Sequence, residues 1–213
     1  MRYRHFVWDF DGTLFDTYPR MTKSFQHALA VCGVQADEAD ILPRIKISVG
    51  SARDSYLGPC TDDLLRRFSE AYRSYERSLP PETMKPYPGM LELIRRTHAL
   101  GAHHHLYTHR DHAALEALER YGVRDCFEGV ITSQDPFPKK PAPDALLSLI
   151  ARGLIDPASS CMVGDRDIDV EAAHNAGIDG CLFDPEHFFD GYQTPHRVCS
   201  AGELLAWMTQ ARA

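Results

Sequence analysis

Two aspartates stand two residues apart where an apolar run ends: Asp9 and Asp11 in HFVWDFDGTLFDTYP, residues 5–19. A turn carboxylate ahead of Gly12 accounts for Asp11. It gives no reason for Asp9 to stand inside the run, between Trp8 and Phe10. Similar residue types recur where later apolar runs stop. Thr108, His109 and Arg110 follow His105–Tyr107, Lys139 and Lys140 precede PAPD, and Asp165, Asp167 and Asp169 follow SCMVG. Two carboxylates 4 Å apart repel by about 4 kcal/mol at an effective dielectric near 20. Asp9, Asp11, Asp165 and Asp169 in one crevice would therefore take up protons or demand a cation. A few hard oxygen ligands, with room left for water and a phosphate, fit Mg²⁺. Lys140 and Thr108 would then partner phosphoryl oxygens, the turn at Gly12 would present backbone N–H groups, and a carboxylate beside the metal offers a route to an aspartyl-phosphate.

For these residues to meet, the apolar runs must be neighbouring strands. Short runs recur at Phe6–Phe10, His105–Tyr107, Val130–Ile131, Cys161–Val163 and Cys181–Phe183, with a weaker one near Val198. Between them lie amphipathic patterns of about three turns, two of them closed by Gly101 and Gly122. Strands alternating with helices imply a doubly wound, Rossmann-like α/β domain with a parallel sheet, whose ligands bind beyond the carboxyl ends of the strands. From Tyr18 to Met84 the alternation breaks, and MTKSFQHALAVCG, DEADILPRIKI and DDLLRRFSEAYRSYERSL all read as amphipathic helices. The interval ends at PPETMKPYPG, whose prolines suit a stiff return linker. The organisation expected is a core of residues 1–16 and 86–213 with a small α-helical cap, residues 17–85, inserted after the first strand. Hinges are expected where the chain crosses, near Phe15–Pro19 and Lys85–Gly89.

DFDGTL at 9–14, YTHR at 107–110, KKPAPD at 139–144 and VGDRDIDVEAAHNAG at 163–177 resemble, in order, the four motifs of the haloacid dehalogenase-like hydrolase superfamily. The likeness is to its phosphoglycolate phosphatase-like branch, which carries a helical cap after motif one. The resemblance implies that Asp9 is the nucleophile and a Mg²⁺ ligand. It implies that Asp11 is the general acid/base, with its backbone carbonyl on the metal, that Thr108 holds a phosphoryl oxygen, and that Lys140 neutralises the nucleophile–phosphate pair. Asp165 would bind Mg²⁺, and Asp169, one helical turn on, would orient a metal-bound water. Gly12, His109 and Arg110 would line the substrate site, and Gly50 and Arg53, in the cap segment VGSARDSYL, would contact substrate. Two departures stand out. Arg166 and Asp167 follow the motif-four Gly-Asp where a small residue is common, and His109 replaces a frequent asparagine beside the leaving group.

The remaining features bound the function. A formal charge of −7 over 213 residues argues against nucleic acid or an anionic membrane as the main partner. Six cysteines without a C-x-x-C pair read as reduced core residues, no apolar stretch is long enough to span a bilayer, and no signal-peptide pattern follows Arg2 and Arg4. The cytoplasm is the expected location. The expected partner is a small phosphorylated metabolite, bound by a monomer or homodimer. His103–His105 suggest a metal tract, but strand alternation sends neighbours to opposite faces and keeps the three apart. The reading is a Mg²⁺-dependent phosphatase of a small phosphomonoester such as 2-phosphoglycolate. A sugar-phosphate mutase of the beta-phosphoglucomutase type and a non-catalytic Mg²⁺/phosphate-binding module are the alternatives.

Overall fold

The computed structural model describes residues 3–210, which divide into two compact units: the residues up to Phe15 together with those from Pro86 onward, and Asp16–Lys85. In chain order the strands are β1 (His5–Trp8), β2 (Phe15–Asp16), β3 (Lys85–Pro86), β4 (His103–Tyr107), β5 (Phe127–Ile131), β6 (Ser160–Gly164), β7 (Asp179–Phe183) and β8 (Arg197–Val198). The helices are α1 (Tyr18–Val31), α2 (Glu38–Ile47), α3 (Val49–Leu57), α4 (Asp62–Ser78), α5 (Met90–Ala99), α6 (Ala113–Arg120), α7 (Asp144–Ala151), α8 (Asp167–Asn175) and α9 (Ala201–Thr209).

The first unit is an α/β sheet in the order β5-β4-β1-β6-β7-β8, parallel throughout. β1 is central because the chain builds outward through β4 and β5, then returns to its other side for β6, β7 and β8. Such a reversal leaves a crevice at the strand ends, where loops leave in opposite directions. Alternation along each strand divides the core. Val7, Tyr107, Ile131 and Met162 pack with Leu146 and Leu149 of α7 and Ala172 and Ala173 of α8. Trp8 and His104 face the other way, where Thr97 of α5 meets the His104 ring. Fully burying one such Leu or Phe contributes about 1.5–3 kcal/mol. Gly101 and Gly122 close α5 and α6 at φ 87° and 64°, the left-handed conformation that ends a helix with least strain.

The His103–His105 run obeys the pleat. Trp8 Nε1 donates to His104 Nδ1 at 3.0 Å, and His104 Nε2 lies 3.1 Å from Thr97 Oγ1, which itself donates to the Leu93 carbonyl at 2.7 Å. His103 lies on the opposite face, stacked on His5 and 2.6 Å from Glu128. The run Phe6–Phe10 is shorter as a strand than its apolar length implies. β1 stops at Trp8, though the Asp9 N–H still donates to the Val163 carbonyl at 2.9 Å.

The second unit is α1–α4 around Phe25, Leu29, Ile41, Ile45 and Phe68, with Phe25 and Phe68 edge to face at 5.1 Å. Arg20, an unremarked basic residue in the sequence, is buried there and ties α1 to the end of α4 and the return segment. Its guanidinium donates to Glu76 at 2.8 Å, to Thr83 at 2.7 Å and to the Pro80 carbonyl at 3.0 Å. The proline-rich segment is not merely a linker, for it forms a 3-10 turn at Pro81–Thr83 and then β3, which pairs with β2 in a two-stranded ribbon.

Candidate active site

Five residues on four connections at the carboxyl end of the sheet supply the chemistry. Asp9 lies one residue past β1, Thr108 one past β4 and Asp165 one past β6, while Asp169 occupies the first turn of α8 and Lys140 the loop between β5 and α7. All five are buried. Lys140 Nζ stands 2.5 Å from Asp9 Oδ1 and 2.7 Å from Asp169 Oδ1, and its ammonium lies 4.7 Å from the centre of the Tyr107 ring. Tyr107 is a core aromatic, as its apolar neighbours imply, and also the cation–π floor beneath the lysine. No sequence signal marks it, since any aromatic at a strand end looks alike.

Asp169 can reach this position only because residue 164 is glycine. A Cβ there would lie 2.2 Å from both Cβ and Cγ of Asp169. The second Asp169 oxygen accepts from the Arg166 N–H at 3.1 Å, which sets the start of α8. Asp167 takes no part in the cluster. It is a half-buried acid in the first turn of α8, accepting from the Ile168 N–H at 2.8 Å.

Burial governs the protonation of these groups, with neighbouring charge second. Burial raises the Asp9 carboxyl to about 6 against the opposing pull of Lys140. Burial acts on Asp169 in the same direction, but Lys140, Arg166 and their hydrogen bonds outweigh it and hold that carboxyl below its ordinary range. Burial disfavours the Lys140 ammonium, yet the two carboxylates raise its pKa overall.

Among the described residues, one group of three or more His, Cys, Asp or Glu side chains brings ligand atoms within 4.8 Å of one another: Asp9, Asp165 and Asp169. The Asp11 side chain stands outside that group. Its Oδ1 accepts from Arg110 Nε at 2.8 Å and lies 2.7 Å from a second guanidinium nitrogen, so any metal contact through Asp11 falls to its carbonyl. The buried Asp9 Oδ2 has no hydrogen-bond partner. An orphaned carboxylate oxygen in a set made wholly of hard oxygen donors is what a small divalent cation would satisfy, so the residues present fit Mg²⁺.

The other candidates make contacts of their own within the protein. The Gly12 N–H already donates to the Phe15 carbonyl at 2.8 Å, so Gly12 supplies a φ of 77° for the turn and not a donor for substrate. His109 Nε2 accepts the Lys140 backbone N–H at 3.1 Å, which ties that nitrogen to the protein. Arg110 lies on Asp11, its guanidinium 5.9 Å from the centre of the Phe10 ring, and its backbone N–H donates to Thr108 Oγ1 at 3.0 Å. Gly50 and Arg53 lie in α3 of the second unit. A Cβ at residue 50 would meet Ser48 Oγ at an ordinary 3.6 Å, so packing there does not demand glycine, and Arg53 pairs with Asp54 at 2.7 Å.

Residues 6–183 match the family model for haloacid dehalogenase-like hydrolases. The chain belongs to that family. It falls in the phosphoglycolate phosphatase-like branch, as a phosphatase-type hydrolase. It is 33% identical over 183 residues to a phosphoglycolate phosphatase of Mesorhizobium japonicum, across 81% of this chain and 78% of that one. It is 28% identical to the fructose-1-phosphate phosphatase of Escherichia coli, across 84% of this chain and 95% of the relative. A haloacid dehalogenase-like hydrolase of Streptococcus pneumoniae shares the fold, with a TM-score of 0.81 at 18% identity over 98% of this chain and 99% of that one.

Proposed function

We propose that this hydrolase cleaves a small phosphomonoester through an aspartyl-phosphate on Asp9. The observation that carries the reading is the state of Asp9, a buried carboxylate with one oxygen on an ammonium and the other without a protein partner. Asp9 would attack phosphorus and break the bond to the leaving oxygen, while Asp11 would protonate the departing alkoxide. In the second step Asp11 would take a proton from water, which would attack the phosphorus and release inorganic phosphate and the Asp9 carboxylate. Thr108 Oγ1 already accepts from Arg110 N–H, which leaves its O–H to donate to a phosphoryl oxygen. Asp9 and Asp165, with the Asp11 carbonyl, would hold Mg²⁺, which would supply charge neutralisation of the phosphoryl group. Asp169 would orient a water on that ion.

The relatives direct the choice of substrate towards 2-phosphoglycolate first and a sugar 1-phosphate second. A turnover screen over phosphorylated metabolites decides between them. Among the described residues no helix is long and apolar enough to cross a membrane, and all six cysteines are free thiols, which suits a reducing compartment such as the cytoplasm.

Rapid-quench labelling with a phosphorus-labelled substrate tests the mechanism. Label is expected on Asp9 of the wild type and absent from Asp9→Asn. Asp11→Asn should lower kcat by roughly 10² to 10⁴, the scale of a positioned acid/base. Wild-type labelling of Asp9→Asn, or undiminished steady-state turnover by Asp11→Asn, would refute the division of roles.

A further inference from the structure

Lys140 sits on a long connection between β5 and α7, yet its ammonium is held within a few tenths of an ångström of ideal contact with two carboxylates. The groups that restrain its backbone therefore bear on the chemistry. One of them comes from β4's end: the Lys140 N–H points at His109 Nε2 from 3.1 Å. A backbone N–H can only donate, so Nε2 carries the lone pair and the proton of the neutral ring is on Nδ1. Burial first, then the Lys140 and Arg166 charges, lower the His109 pKa to about 3, so the ring keeps its acceptor across the working range of pH.

The His109 ring is itself held. It lies edge to face against Tyr107 at 6.2 Å and 79°, and Tyr107 carries the lysine ammonium on its face. The flanking backbone is pinned to the next strand and its loop, where Thr108 N–H donates to the Ile131 carbonyl and Ser133 N–H to the Arg110 carbonyl, both at 3.0 Å. Beside Lys140, Asn175 Nδ2 donates to the Pro141 carbonyl at 3.0 Å. His109 thus ties the lysine's own peptide to the end of β4, the strand whose last residue, Tyr107, lies under its ammonium.

We propose that His109 is a positioning residue: by accepting the Lys140 N–H it sets the height of the Lys140 ammonium over Asp9 and Asp169. This rests on the reading that Lys140 acts in phosphoryl transfer. Removing the acceptor frees the loop to shift, and a displacement near 1 Å at a reacting centre lowers rates by about 10².

The test compares His109→Phe, which keeps the ring packing against Tyr107 but has no acceptor, with His109→Gln, whose amide oxygen can accept in place of Nε2. Turnover of p-nitrophenyl phosphate with Mg²⁺ should fall about 10- to 100-fold in kcat for His109→Phe with KM little changed, and His109→Gln should restore most of the loss. In a Lys140→Met background, His109→Phe should add almost nothing, because the two act as one unit. An equal loss in both backgrounds, a His109→Gln enzyme as poor as His109→Phe, or a fully active His109→Phe overturns the proposal. If His109→Phe does not fold, imidazole ¹⁵N shifts of the wild type decide: a protonated Nδ1 with a bare Nε2 supports it, and a protonated Nε2 overturns it. Undiminished turnover by Lys140→Met alone would instead remove Lys140 from the reaction, which separates failure of the underlying reading from failure of this one.

Discussion

A single methyl group at residue 164 should disable the site without touching a reacting atom. In Gly164→Ala the new Cβ would stand 2.2 Å from Asp169 Cβ and Cγ and 2.4 Å from Oδ2. Carbon atoms in contact rest about 3.5–4.0 Å apart, so Asp169 must retreat by more than about 1 Å. Its oxygens are fixed by Lys140 at 2.7 Å and by the Arg166 N–H at 3.1 Å, and a retreat of that size breaks both. Hydrogen bonds to charged groups contribute about 1.5–3 kcal/mol each and overpacking costs about 1–3 kcal/mol. The low ends together give about 4 kcal/mol, a large share of the roughly 5–15 kcal/mol that holds a domain folded. Displacing Asp169 also moves the Lys140 ammonium that it shares with Asp9, so kcat should fall by at least about 10². Urea unfolding followed by the fluorescence of buried Trp8, beside turnover of p-nitrophenyl phosphate, measures both effects. Gly202→Ala in α9 is the control, since its Cβ would meet only Ser200 Oγ at 3.8 Å and should change stability by no more than about 1 kcal/mol. A Gly164→Ala protein with stability within about 1 kcal/mol of wild type and unchanged kcat would refute the packing argument.

Acid should weaken the first unit through His104, whose pKa burial and the neighbouring His98 lower to about 3. Protonating Nδ1 would set a donor against the Trp8 N–H. Because the unfolded chain binds that proton near pH 6.5, stability is unaffected above that pH and falls by up to about 1.4 kcal/mol per unit between there and about pH 3. Urea unfolding from pH 7 to pH 4 should show a slope shallower by one proton in His104→Gln, and an unchanged slope would exclude His104 as its source. EDTA should abolish turnover, and Ca²⁺ in excess over Mg²⁺ should inhibit it, since Ca²⁺ prefers more ligands at longer range than in-line attack tolerates. Full activity in EDTA would remove the metal from the reaction. Arg53→Ala should lower kcat/KM for the best natural substrate while sparing p-nitrophenyl phosphate, and equal effects on both would deny it a part in specificity.

The order of motifs along the chain was enough to read the family and the parallel sheet, because both depend on local pattern. A core strand announces itself by a short apolar run, a helix by its 3.6-residue stripe, and a strand end by the polar residue that follows. The placing of Asp9, Asp165 and Asp169 at strand ends was legible on those grounds, whereas Thr108 and Lys140 were raised above a helix cap and a solvated lysine by their motifs alone. Partnership was not legible, because hydrogen bonds between loops separated by dozens of residues leave no periodic trace. Gly12 looked like a source of N–H groups until the turn brought the Phe15 carbonyl to it, and Arg110 looked like a substrate contact until the parallel pairing of β1 with β4 set it on Asp11. His109 shows the division most plainly. Its identity as a departure from the motif was visible in the sequence, but its role as an acceptor depends on the Lys140 peptide arriving 31 residues later in the chain. Sequence alone determined which chemical groups stand at the strand ends, since alternation and turn chemistry act between neighbours. Tertiary structure alone decided which of those groups hold one another, since burial leaves each charged or polar atom only the partners that the packed strands and loops bring to it.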